Sequence, residues 1–204
     1  MSKVEQSDPV DKELQFMNPI FAAAKIGNIQ ELTDILKAKK VNPNIRNSFA
    51  FGWTPLMYAA DNNQPEACKI LLEYHADPHS ICGGLSNTAL GFAARAGNLE
   101  CVEILHSYGA SINGNCTSPL VYALKNNKIS MVELLLKLGA DPNKNTVDSP
   151  VLVAAKLNSV EALELLRVYG ANLYYRGING NSALDIAFRE GSSEAFAYLG
   201  DTKM

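Results

Sequence analysis

The chain has 204 residues, 47% of them hydrophobic, and a formal net charge of −3 at pH 7. That balance gives no overall pull toward nucleic acid or an anionic membrane, and no apolar run approaches the roughly 18–20 residues needed to cross a bilayer. The N-terminal Met1-Ser2-Lys3-Val4-Glu5 lacks the apolar core of a secretion signal, and the four cysteines have no metal-ligand spacing. The expectation is a cytoplasmic protein, exported only if a signal was removed, with no metal and no cofactor.

Taken in order, residues 1–17 begin charged and then place Leu14, Phe16 and Met17 at helical spacing. Two readings stay open: a short helix over Pro9–Phe16 that covers the exposed end of a helical stack, or a disordered leader. Helical patterns then arrive in pairs. The first pair is expected near 19–26 and 29–38, with Phe21, Ala22, Leu32, Ile35 and Leu36 facing inward, and it ends in Val41-Asn42-Pro43-Asn44. Next comes Phe49-Ala50-Phe51-Gly52-Trp53, three aromatics in five residues that include the only tryptophan.

Thr54 caps a helix whose first residue is Pro55, where the missing N–H costs nothing. The Ala59-Ala60 pair leaves room for a second helix, which ends in Leu71-Leu72 before Ala76-Asp77-Pro78 turns the chain away. The third pair runs from Asn87 to Tyr108, with Leu90, Phe92, Val102, Ile104 and Leu105 as core. The fourth, Ser118–Leu138, and the fifth, Ser149–Tyr169, have the strongest leucine periodicity. Leu173-Tyr174-Tyr175-Arg176 then forms a second exposed aromatic patch. The sixth, Ser182–Leu199, has a shortened second helix and reads as a closing cap, which a finite stack needs for solubility.

These pairs are copies of one unit. Pro19, Pro55, Ala89, Pro119, Pro150 and Ala183 stand in register at spacings of 36, 34, 30, 31 and 33 residues. The alanine pair recurs as Ala23-Ala24, Ala93-Ala94 and Ala154-Ala155, and the helix end as Gly109-Ala110, Gly139-Ala140-Asp141-Pro142 and Gly170-Ala171. His75 replaces that glycine at a site that wants positive φ. The two short spacings imply clipped turns at 113–116 and 145–148. One unit has no interior of its own, so it must stack on its neighbours.

Over about residues 18–200 the pattern resembles the ankyrin repeat, in which a β-turn finger precedes two antiparallel helices. The resemblance implies an all-α solenoid of stacked helix-turn-helix units with β-turn fingers. A leader or cap at 1–17 would precede a single repeat domain at 18–204, with repeats at about 18–48, 49–82, 83–113, 114–144, 145–177 and 178–204. It also implies that the residue after the alanine pair faces a concave groove: Lys25, Asp61, Arg95, Lys125, Lys156 and Arg189. Five of the six are basic and would form a stripe interrupted at Asp61, although lysine and arginine also serve surface helices simply as good helix formers. In such folds Phe51 and Trp53 occupy finger positions that point into the groove. Phe49 is equally compatible with packing beneath its own finger.

No reaction chemistry is legible. The chain has no glycine-rich phosphate loop, no His-Glu-x-x-His, no Gly-x-Ser-x-Gly and no paired carboxylates. Gly83-Gly84 and Gly177-Ile178-Asn179-Gly180 read as finger turns that need positive φ. His75, His79 and His106 do not assemble a metal site. Cys68 and Cys101 fall in second helices, where thiols pack as small apolar groups. Cys82 and Cys116 lie in neighbouring fingers, where a disulfide is conceivable but a reducing compartment disfavours it.

The expected function is therefore protein binding without catalysis, through the concave groove and the fingers. The role would be an adaptor for an acidic segment, or an inhibitor or antidote covering an enzyme cleft. The partner-binding residues would be Phe49, Phe51, Trp53, Lys25, Arg95, Lys125, Lys156, Arg189, Tyr174 and Tyr175, in a chain that binds no nucleic acid or membrane and is monomeric by itself. The alternatives are a structural spacer, or a substrate hydroxylated at Asn113 or Asn143, the positions that match the family's modified turn asparagines.

Overall fold

The computed structural model describes residues 17–38, 41–83, 87–114, 118–144 and 148–202. Among them twelve helices fall into six pairs: α1 Pro19–Ile26 with α2 Ile29–Lys37, α3 Pro55–Asp61 with α4 Pro65–Glu73, α5 Ala89–Ala96 with α6 Leu99–Ser107, α7 Pro119–Lys125 with α8 Ile129–Lys137, α9 Pro150–Lys156 with α10 Val160–Val168, and α11 Ala183–Glu190 with α12 Ser193–Asp201. The expected helix over Pro9–Phe16 lies outside the described residues. So do Gly84, Cys116 and the turn residues Asn145, Thr146 and Val147.

Each first helix starts where the sequence places a small polar residue before Pro or Ala. The Thr88 hydroxyl accepts the Gly91 N–H at 3.2 Å. Ser182 and Asp185 cap reciprocally: the Ser182 hydroxyl accepts the Asp185 N–H at 3.2 Å, and the Asp185 carboxylate accepts the Ser182 N–H at 2.8 Å. Each hairpin between first and second helix is turned by Gly or Asn at positive φ, namely Gly27, Asn63, Gly97, Asn127, Asn158 and Gly191. After the second helix the same role falls to His75, Gly109, Gly139 and Gly170, with His75 held at φ 65°. Histidine there carries the steric cost that glycine avoids.

The first helices stack in the order α1, α3, α5, α7, α9, α11; behind them α4 packs on α2 and α6, and α10 on α8 and α12. Ala23, Ala24, Ala59, Ala60, Ala93 and Ala94 are fully buried in the first row. Interaxial distance depends on the side chains at the contact, so the alanine row closes up more than the leucine row of Leu71, Leu105, Leu135 and Leu166. The first helices therefore line the inner side of the stack. Of the residues expected in the core, Ala22, Ile35 and Ile104 are half-buried and Phe21, Leu32, Leu36, Leu90, Phe92, Val102 and Leu105 are buried.

Asparagines knit one unit to the next along the turns. The Asn44 side chain accepts the Asp77 N–H at 2.7 Å and donates to the His75 carbonyl at 3.1 Å. Asn143 repeats both bonds one level on, to the Asn172 N–H at 2.7 Å and the Gly170 carbonyl at 2.9 Å. Asn113 accepts the Asp141 N–H at 2.8 Å. Extended structure among the described residues is confined to three single bridges, Asn47 with Trp53, Cys82 with Asn87 and Arg176 with Ser182. Each closes a finger.

Candidate functional site

The inner face is built from two positions of each first helix, three residues apart and so on one side of it. The second of these carries Lys25, Asp61, Arg95, Lys125, Lys156 and Arg189. The first carries Ala22, Tyr58, Phe92, Tyr122, Val153 and Ile186, a column with consecutive aromatics in its middle. Its signal was in the registered sequence, where Phe92 read as ordinary core.

Those aromatics are the floor on which the first finger rests. The Trp53 ring lies 5.1 Å from Tyr58 and 4.2 Å from Phe92, and Phe21 continues the row 5.6 Å from Tyr58. Asn47 donates to the Tyr58 hydroxyl at 2.9 Å, and the Tyr122 hydroxyl donates to the Asn87 side chain. Trp53 is thus half-buried against the core, which corrects the expectation that it projects for a partner. The reason is local: the Asn47–Trp53 bridge brings the chain back to the helix row at that residue. Phe49 and Phe51 sit at the turn of the same finger and stay 99% and 83% exposed.

Phe51 has φ 52°, an uncommon conformation for a bulky residue. The finger around it is anchored. Arg46 Nη1 donates to the Ile81 carbonyl at 2.6 Å and to the Gly52 carbonyl at 3.4 Å, and the Gly83 N–H donates to the Phe51 carbonyl at 3.1 Å. An aromatic pair is presented to solvent on a fixed support.

The basic row is present, but three of its members are paired. Arg95 Nη2 lies 2.8 Å from Asp61 Oδ1, Lys125 Nζ 2.5 Å from Asp148 Oδ2, and Arg189 Nη2 3.1 Å from Glu190 Oε1. Asp61 therefore neutralises the neighbouring level rather than merely interrupting the line. Arg95 also covers Phe92, with Cζ 5.2 Å from the ring centre. Lys25 is half-buried, and Lys156 is exposed with no ion-pair partner among the described residues. The single-chain pattern could not show which carboxylate would face which cation across levels.

Tyr174 and Tyr175 do not form one patch. Tyr174 turns toward the end of the stack, and its hydroxyl donates to the Thr202 carbonyl at 2.8 Å. Tyr175 turns inward and, with Lys156 and Arg189, lines a hollow of ≈ 490 Å³. Gly177 takes part for a reason other than the expected one: its φ is not positive, but a Cβ there would meet Leu152 Cδ1 at 2.9 Å. Gly83 and Gly180 do have positive φ.

Among the described residues no cluster of His, Cys, Asp or Glu could hold a metal ion, and no helix is long and apolar enough to cross a membrane. Cys68, Cys82 and Cys101 are free and buried. Cys68 is pushed well above the ordinary thiol range by its hydrogen bond to Cys101 and by burial. The conceivable Cys82–Cys116 bridge lies partly outside the described residues.

The model of the family described as "Ankyrin repeats (3 copies)" matches residues 4–82 and 75–146, more than half of the chain. The chain belongs to the ankyrin-repeat family. Repeats of this family mediate protein–protein interaction and are typically non-enzymatic modules. Curated relatives include the Transient receptor potential channel pyrexia of Drosophila melanogaster, 34% identical over 61% of this chain and 13% of its own length. Another is Ankyrin repeat and SOCS box protein 11 of Mus musculus, 38% identical over 49% of this chain and 32% of its own length. The chain thus spans a third or less of these two relatives.

Two solved structures share the fold over nearly their whole chains. An ankyrin repeat domain from Acinetobacter baumannii superposes with a TM-score of 0.79 at 24% identity, covering 91% of this chain and 97% of that one. A chain from the complex of a Bdellovibrio bacteriovorus predatory endopeptidase with its immunity protein gives 0.75 at 22% identity, covering 91% and 98%. Among the described residues this ankyrin stack is all-α apart from its finger bridges.

Proposed function

We propose that this ankyrin stack binds a partner protein through the first finger and the inner helix row, with Phe49 and Phe51 as the anchors. The observation that carries the reading is the exposure of both rings on a finger tied down by Arg46, Gly83 and the Trp53 platform. An anchored backbone lowers the ordering cost of binding, and large aromatics dominate interface energies. A projecting apolar wedge suits a cleft better than it suits an extended peptide, so an inhibitor or antidote role is favoured over an adaptor. The endopeptidase–immunity protein complex with a chain of this fold is a precedent for that architecture and no more.

The pairing of Arg95, Lys125 and Arg189 lowers the weight of a generally acidic partner along the groove. The hydroxylation alternative is not favoured at Asn143, whose side chain already makes two backbone bonds. Three free buried thiols suit a reducing compartment, consistent with the cytoplasm. The test is recovery of partners from native lysate with the wild-type chain and with a Phe49→Ala, Phe51→Ala double variant. A protein retained by the first at least tenfold better than by the second supports the reading. Equal recovery by both ends it. Trp53→Ala is the wrong bait, because it undermines the platform as well as the surface.

A further inference from the structure

The strongest unassigned feature is the hollow between α9, α11 and the finger at 175–181. Its apolar part is Leu152 on α9, Ile186 on α11, Tyr175 at the base of the finger, and Ile178 at the tip, 97% exposed. Gly177 lets the finger backbone lie directly on Leu152, which closes one side. The volume of ≈ 490 Å³ falls within the roughly 300–1,000 Å³ of ordinary ligand sites.

Its charged groups are Lys156, Arg189 and Asp148, beside the neutral Ser149, Asn179 and Asn181. Lys156 reaches it without an ion-pair partner among the described residues. Arg189 also lines it; its bonds to Glu190, through Nε at 3.3 Å and Nη2 at 3.1 Å, leave other guanidinium donors unused. The one carboxylate on the rim, Asp148, is held by Lys125 at 2.5 Å. A hollow that combines apolar side chains with two cations suits an anion flanked by hydrocarbon. We infer that the hollow between the fifth and sixth repeats receives an acidic side chain, together with an adjacent apolar residue, from an extended segment of a partner protein. This deepens the binding role proposed above by giving the far end of the inner face its own chemical preference, and it stands apart from the Phe49–Phe51 finger.

The experiment uses the full chain and synthetic probes: a capped pentapeptide with glutamate between two leucines, the same peptide with glutamine, and acetylglutamate amide. Amide shifts are followed by NMR up to low-millimolar concentration. The glutamate peptide is expected to shift signals of Leu152–Leu157 and Ile186–Glu190 at least fivefold more than the glutamine peptide, and Lys156→Gln is expected to erase the difference. Lys156 is exposed, so this variant keeps the fold, and its unchanged remaining spectrum verifies that. Equal effects of the two peptides, shifts located elsewhere, shifts by acetylglutamate amide as large as by the peptide, or no shifts at all would overturn the inference. A partner lost with the finger double variant but bound normally by Lys156→Gln in native lysate would overturn it too, while leaving the finger reading intact.

Discussion

The Trp53 and Phe92 rings lie 4.2 Å apart, centre to centre, at a tilt of 44°. A finger residue and a helix of the following repeat therefore share one packing contact, so the finger is part of the stack and not an appendage. Arg95, with Cζ 5.2 Å from the centre of the Phe92 ring, extends the contact to the ion pair with Asp61.

Trp53→Ala should accordingly cost stability. Removing a core aromatic costs about 3–5 kcal/mol, and Trp53 is half-buried, so a loss of about 2 kcal/mol is expected. Phe51→Ala at the exposed tip should stay within about 0.5 kcal/mol. Urea midpoints followed by circular dichroism measure both, since Trp53→Ala removes the only tryptophan.

His75→Gly should stabilise the chain by about 1 kcal/mol, because the residue sits at φ 65° and glycine reaches that conformation without the Cβ clash. The Asn44 bond to the carbonyl of residue 75 is a backbone contact and survives. A rise in thermal midpoint checks this.

The Arg95–Asp61 pair spans two repeats, yet its side chains are 43% and 22% exposed. Solvent screening limits such a pair to below about 1 kcal/mol. A double-mutant cycle of Asp61→Asn and Arg95→Met should return a coupling of that size, which shrinks on adding salt. A coupling that is large and insensitive to salt would mean the pair is desolvated.

Cys68 retains its proton in the folded chain above the ordinary thiol value of 9.0, held by Cys101 and by burial. A raised folded pKa stabilises fully below the unfolded value and is lost as pH rises toward the folded one. The same bond lowers Cys101, so stability should decline only above about pH 9, where the folded chain still holds the Cys68 proton, and Cys68→Ala should flatten that decline. Thiol labelling at pH 8 should be slow at Cys68 in the folded chain and fast in urea.

The amino-acid sequence determined the units, their number and their local ends. Register alone placed Thr54 and Ser182 at helix starts, the alanine pairs on the first helices, and a positive φ at His75, because caps, small residues and left-handed turns are dictated within a few residues. It also exposed Phe49 and Phe51 to notice as aromatics the repeat does not require. What only the tertiary structure decided were relations between levels: that Trp53 folds back onto Tyr58 and Phe92, that Asp61 and Asp148 neutralise Arg95 and Lys125, and that Tyr175, Lys156 and Arg189 converge while Tyr174 turns away. Those contacts join residues about one repeat apart in sequence, and a periodic pattern fixes which positions share a face but not which side chains meet across the gap between neighbouring helices.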